Sequence, residues 1–261
     1  MEKACLTFLP NVSLLKPNDV LGQSACPFCQ LTALEKILLE EGDALWVENK
    51  YRTLEETYQT VLIESKAHDF NLAYCSLEKL KDLLEFIFAC WEKLAADSRF
   101  SSTLFLKNYG PWSGASLRHS HSQLVALKKW DVTKQADPIH FAGLDLYQGE
   151  GVSATLSTQP IMGYTELNIS FEPKGSVEEL AELLQALVIF ILNQQADRKE
   201  GSYNLFGWRY LDHYQFKLVP RYIDSAYFVG FGIAQVFPMD KLEKMAEDIR
   251  SHYLKELLNR Q

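Results

Sequence analysis

Absent from this 261-residue sequence is any apolar run approaching the roughly 18 residues that a membrane-spanning helix needs. Its opening, Met1 to Pro10, also lacks the apolar core of a signal peptide, so a cytoplasmic protein with no membrane contact is expected. Positive charge is in short supply. Lys and Arg number 26 against 34 Asp and Glu, and the net charge of -8 argues against general affinity for nucleic acid, whose backbone is bound by clustered cations. A single nucleotide remains a reasonable ligand, because a small site can be locally positive. Cysteines number five, an odd count that suggests no disulfide framework. Cys5, Cys75 and Cys90 are expected to be reduced thiols, with Cys90 on the apolar side of a helix. An apolar fraction of 47% with 23% charged residues is ordinary for a globular chain, long enough for one large domain or two small ones.

The most informative stretch runs from Asn108 to Gln123. It lies between the apolar segments Thr103 to Leu106 and Leu124 to Leu127, so it reads as strand, glycine-containing turn, strand. Gly110, Ser113, Gly114 and Ser116 would let backbone approach an anion, since glycine has no Cβ and hydroxyls donate hydrogen bonds. His119, His121 and Gln123 follow at a spacing of two, which in an extended chain directs them to one face. Two histidines so spaced can be plain surface residues or a chance metal pair; the glycine-serine loop upstream is what points to an active site.

These residues resemble the galactose-1-phosphate uridylyltransferase-like branch of the histidine-triad superfamily, which carries Gly-x-Ser-x-x-His-x-His-x-Gln. Gly114, Ser116, His119, His121 and Gln123 fill every fixed position, and Asn108 with Gly110 matches the branch's Asn-x-Gly. The wording Gly-Ala-Ser-x-x-His-Ser-His-Ser-Gln is particularly similar to plant-type ADP-glucose phosphorylases of the same branch. The resemblance implies an α+β fold of two repeats, each an antiparallel sheet with a long packed helix.

Cys26-Pro-Phe-Cys29 by itself is a redox pair, a zinc half-site or a coincidence. The resemblance supplies two further zinc ligands, His68 and His119. Two cysteines and two histidines suit a tetrahedral ion with no open position, hence structural Zn2+. Taken alone, His68 beside Asp69 reads as a solvated loop residue. Asn49, in Asn49-Lys50-Tyr51, resembles the family segment that holds the nucleoside, although an Asn there also suits a turn.

Along the chain, Leu31, Leu34, Ile37 and Leu38 have helical spacing, closed by Gly42. Strands are expected at Ala44 to Glu48 and at Tyr58 to Glu64, the latter with Val61 and Ile63 on one face. Ser76 is placed to cap a helix reaching about Asp97. Strands 103–108 and 120–128 complete a first half. After Asp137-Pro138 and Gly149-Glu150-Gly151 the order repeats: a strand from Thr165 to Phe171, a capping box of Ser176 with Glu179, a helix from Val177 to about Asp197, then strands at 203–206 and 214–219. The expected division is a catalytic half, 1–150, and a degenerate half, 151–261. In the second half Gly207 to Asp212 replaces the active loop and only His213 remains of the histidine pair. Lys217 or Arg221 could meet a phosphate, with surface solvation the simpler expectation. Asp240 with Glu243 reads as the cap of a last helix, to about Leu258.

The chemistry implied by the family is nucleotidyl transfer through a covalent histidine intermediate. His121 attacks the donor's α-phosphorus, Ser116 with the loop stabilises the developing charge, and Gln123 holds the bound phosphate without shuttling a proton. Asn108, Gly114, Ser116 and Asn49 are the expected substrate contacts. The leading expectation moves a nucleoside monophosphate from a nucleotide-sugar to a hexose-1-phosphate. Alternatives are phosphorolysis of ADP-glucose or a dinucleoside polyphosphate, or a nucleotide-binding module without turnover. The arginine-rich N-terminal segment of true uridylyltransferases is missing from Met1 to Gln23, which leaves base and sugar undetermined. A homodimer is also implied, with aromatic residues near Tyr222 to Phe231 as its only trace in the sequence.

Overall fold

The computed structural model describes residues 5–17, 26–30, 34–197, 200–222 and 225–260. Its strands are β1 (Ile37–Glu41), β2 (Ala44–Glu48), β3 (Thr57–Ile63), β4 (Ser102–Tyr109), β5 (His121–Leu127), β6 (Gly143–Gln148), β7 (Val152–Ser157), β8 (Gly163–Tyr164), β9 (Leu167–Phe171), β10 (Tyr203–Arg209), β11 (Tyr214–Pro220) and β12 (Gln235–Val236). Ten of them form one sheet in the order β1-β2-β3-β5-β4-β10-β11-β9-β7-β6, and every pairing is antiparallel. Read from either end the order repeats: a hairpin, a third strand, then a crossed pair. Two repeats, joined edge to edge through β4 and β10, make a continuous sheet. Two long helices, Leu77–Ala95 and Val177–Asn193, pack together across one face.

Alternation along the strands sorts side chains to the two faces. Leu62, Phe105, Leu124, Leu205, Phe216 and Ile169 meet the helices in one large core, which includes the fully buried Trp91 and Phe190. On the other face Leu45, Val47, Val61 and Ile63 form a small cluster with Phe28 and Leu34. Ser76 and Ser176 cap the long helices as expected, accepting from the Lys79 and Glu179 amides. The Ser176–Glu179 capping box is only half made, because the Glu179 carboxylate accepts from Glu150 N.

Several expectations are corrected. The helical spacing around Leu34 to Leu38 belongs instead to strand β1, while Leu31 lies outside the described residues. Gly42, with φ of +56°, is a hairpin turn residue and not a helix end. Glycine ends helices and opens hairpins for the same conformational reason, so the residue alone does not separate the two. Gly149-Glu150-Gly151 is the turn of a β6–β7 hairpin that the pattern did not reveal. The last helix starts at Met239 with Pro238 as N-cap and no side-chain cap, then passes through a wider turn at Ile249–Tyr253 into Lys255–Leu258. Among the described residues, no helix is long and apolar enough to cross a membrane.

Candidate active site and metal cluster

The loop between β4 and β5 lies where the two repeats meet. Gly110 has φ of +81°, and a Cβ there would sit 2.3 Å from the Gly201 carbonyl oxygen, so only glycine fits. Gly114, at φ +82°, also takes the left-handed conformation. Ser113 serves the loop itself, donating to Gly110 O at 2.7 Å and accepting from Ala115 N. Ser122 pairs with Lys107 across β4 and β5, so His121 and Asn108 are the next residues of the two strands toward the loop.

His121 is 8% exposed, and burial pushes its imidazole down to about 4, against which a backbone hydrogen bond acts weakly. Its Nδ1–H donates to the His119 carbonyl oxygen at 2.8 Å. That bond fixes the tautomer and leaves Nε2 with the lone pair. His121 shares a cleft with Ser116, Gln123, Asn49, Tyr51 and Phe28. Four expected site residues therefore converge on one space. Asn49 also makes the turn, its Oδ1 accepting from Tyr51 N at 2.8 Å. Asn108 and Gly114 are not on the cleft wall, and Asn108 bonds to Asn204 and approaches Gly114 O.

The expected metal ligands come together. The Cys26, Cys29, His68 and His119 donor atoms all lie within 4.8 Å of one another. Cys26 Sγ is 3.6 Å and Cys29 Sγ 3.4 Å from His119 Nδ1, and Cys29 Sγ is 3.3 Å from His68 Nδ1. A tetrahedral zinc ion with its usual sulfur and nitrogen bond lengths sets those atoms about 3.5 Å apart, so the spacing fits. The His119 Nε2–H donates to Ser65 O at 2.7 Å, which turns the unprotonated Nδ1 to the cluster. Burial lowers the His119 imidazole, and burial together with the adjacent Cys26 raises the Cys29 thiol. A cation among the four would relieve the crowding of two thiolates. Phe28, between the cysteines, sets its ring edge-on to both His119 and His121, so metal cluster and cleft share a wall.

Sequence reasoning missed what stands behind this site. Lys107 and Glu64 form a fully buried pair at 2.6 Å, with Ser120 accepting from Lys107 and donating to Glu64. From the second repeat, Ser202 Oγ accepts from Trp112 N, and the buried Asn204 donates to Asn108 Oδ1 and Ser113 O. A lysine and an asparagine inside otherwise apolar strands were the available signals. His213 is stacked on Tyr210 and paired with Asp212, at the opposite end of the strands from the His121 loop. Lys217 is not solvated: it is fully buried, 2.9 Å from Glu166 and donating to His140 O. Arg221 donates to Asn204 Oδ1 at 2.7 Å.

Residues 8–130 match the family described as the N-terminal domain of DUF4931, a domain of unknown function, and residues 133–254 match its C-terminal domain. Among solved structures, the chain is similar to a DUF4931 family protein from Bacillus cereus ATCC 10987, at 34% identity, covering 83% of this chain and 98% of that one, with a TM-score of 0.72. An ADP-glucose phosphorylase from Arabidopsis thaliana, solved with bound ADP-glucose, has a TM-score of 0.69 at 17% identity over 95% of this chain and 98% of that one. A uridylyltransferase structure has a TM-score of 0.70 at 17% identity, over 90% and 93%. These last two share the fold, that of the uridylyltransferase-like branch which the motif resembles. No curated protein matches the chain in sequence.

Proposed function

The chain belongs to the DUF4931 family, and we propose that it is a nucleotidyltransferase working through a covalent nucleotidyl-histidine. The observation that carries this reading is His121: a neutral imidazole with Nδ1 tied to a backbone carbonyl and Nε2 left for attack, in one cleft with Ser116 and Gln123. In the first step the Nε2 lone pair forms a bond to the donor's α-phosphorus while the bond to the bridging oxygen breaks, and the leaving group departs as a phosphate or phosphate ester. Ser116 and loop amides stabilise the charge on the phosphorus oxygens. In the second step an acceptor phosphate oxygen displaces His121. Gln123 hydrogen-bonds the phosphate but cannot transfer a proton, which disfavours water as the acceptor.

The donor we favour is a nucleotide-sugar, its nucleoside end toward Asn49, and the acceptor a hexose-1-phosphate. With inorganic phosphate as acceptor the same steps give phosphorolysis, and the ADP-glucose held by the Arabidopsis relative makes ADP-glucose a donor to include. Cys26, Cys29, His68 and His119 would hold a structural zinc ion, and their role here is to pin the Cys26–Cys29 turn and Phe28 against the cleft. A second copy of the chain is the proposed partner, covering Tyr227, Val229, Phe231 and Ile233, which are all more than half exposed; sedimentation as a monomer at working concentration would refute it.

The decisive experiment incubates the protein with UDP-glucose, ADP-glucose or diadenosine tetraphosphate labelled at the α-phosphate. Acid-labile, base-stable label is expected on the wild type, released by phosphate or hexose-1-phosphate, and none on His121→Ala. Undiminished labelling of His121→Ala would overturn the mechanism.

A further inference from the structure

Asn204 is 1% exposed and sits on β10 directly opposite Asn108 of β4. Its side chain is fully used. Nδ2 donates to Asn108 Oδ1 at 2.6 Å and to Ser113 O at 3.0 Å, while Oδ1 accepts from Arg221 Nη1 at 2.7 Å. An amide can be turned either way, but a guanidinium only donates. The atom that faces Arg221 must therefore be oxygen, and the atom that faces Asn108 must be the NH2 group. Asn108 in turn has to meet that NH2 with its own oxygen. Arg221 thus dictates, through one intervening amide, which end of Asn108 is presented toward Gly114 and the loop. That end is Nδ2, whose nearest acceptor, Gly114 O, lies at 3.5 Å, long for a hydrogen bond.

We infer that Arg221 and Asn204 of the second repeat form a polarity relay that holds Asn108 as a hydrogen-bond donor toward an anion bound at the glycine-serine loop. The inference rests on the nucleotidyl-transfer reading and extends it. Asn204 and Arg221 are positioning residues, and Asn108 is the group that meets a phosphoryl oxygen. The relay also gives the second repeat a part in the chemistry of the first. Asn204 holds Ser113 O, and Ser202 holds Trp112 N, so the same strand that sets the polarity of Asn108 fixes the loop beside it.

The test compares Asn204→Asp with Asn204→Ala. The aspartate still pairs with Arg221 but only accepts, so Asn108 has to turn its NH2 inward and present oxygen to the anion. The alanine leaves Asn108 without instruction. Both variants lose the donor to Ser113 O and are expected to melt below the wild type, but Asn204→Asp is expected to lose about 100-fold or more in the single-turnover rate of His121 labelling, the scale of a lost oxyanion donor, with Asn204→Ala losing less. A merely structural role would order the two variants by melting temperature, and Asn204→Asp labelling as fast as Asn204→Ala would overturn the relay. Asn108→Asp makes the same reversal while Asn204 keeps its bond to Ser113 O, because its carboxylate accepts from Asn204 and turns oxygen to the loop. The same loss is expected there, and unchanged labelling would refute the relay. Side-chain amide exchange by NMR separates this idea from the functional reading, since it needs no turnover. In the wild type the Asn204 Nδ2 protons should be protected and those of Asn108 should exchange quickly. Protected Asn108 Nδ2 protons in the wild type would refute the relay even if every donor labels, and an unlabelled wild type with the expected exchange pattern would refute only the transfer reaction.

Discussion

Replacing Lys107 by Met tests how the strands on either side of the glycine-serine loop are anchored. Lys107 and Glu64 are each 1% exposed in their side chains and lie 2.6 Å apart, with Ser120 bridging them. Removing the ammonium leaves a carboxylate in the interior with the Ser120 hydroxyl as its remaining donor. Breaking one side of a buried pair costs about 3–5 kcal/mol, far more than the pair contributes relative to apolar residues of the same size. The unfolding entropy of a chain of this length is about 0.55 kcal/mol per degree, at roughly 2.1 cal/mol per degree per residue. The melting temperature should therefore fall by about 5–9 °C, read by scanning calorimetry at neutral pH. Lys107→Met with Glu64→Leu should recover most of that loss, because no charge is then left unpaired. Ser120 lies between His119 and His121, so the single variant should also slow labelling of His121. A melting temperature within a degree of the wild type, or a double variant no better than the single, would refute the reasoning.

Zinc should be present at one ion per chain in protein purified without chelator, and Cys29→Ser should lower both zinc content and melting temperature before it abolishes labelling; metal analysis finding no zinc would reject the cluster. The pH dependence of stability should carry the signature of His121. Its folded pKa of about 4 lies below the ordinary 6.5, so the unfolded chain binds the proton first. Stability is then fully present above about 6.5 and is lost as pH falls toward about 4, by roughly 3 kcal/mol at 1.36 kcal/mol per unit. Denaturant titrations of the wild type and His121→Ala should diverge through that window, and parallel curves would contradict the buried neutral imidazole.

How much of this was readable in advance differs from one element to another. The helix capped by Ser76, the strands flanking the loop and the alternation of Val61 and Ile63 depend on local capping and period-two patterning, and they stand in the structure as read. The motif also named the residues that converge. Ser116, His121, Gln123 and Asn49 share one cleft, and the four metal donors lie within 4.8 Å of one another, because motif positions correspond to places in an inherited fold. Strand β1 was misread because its leucines and isoleucine also satisfy a helical period, and only pairing with β2 selects the extended form. Lys217 was expected in solvent because a lone lysine carries no mark of its environment. Burial is decided by Glu166 and the His140 carbonyl, brought to it from distant parts of the chain. The sequence by itself determined the local elements and the chemical inventory of the site. Tertiary structure alone decided that Lys107 meets Glu64 and that Asn204 meets Asn108, since such contacts are made across strands that lie apart in sequence and leave no periodic trace.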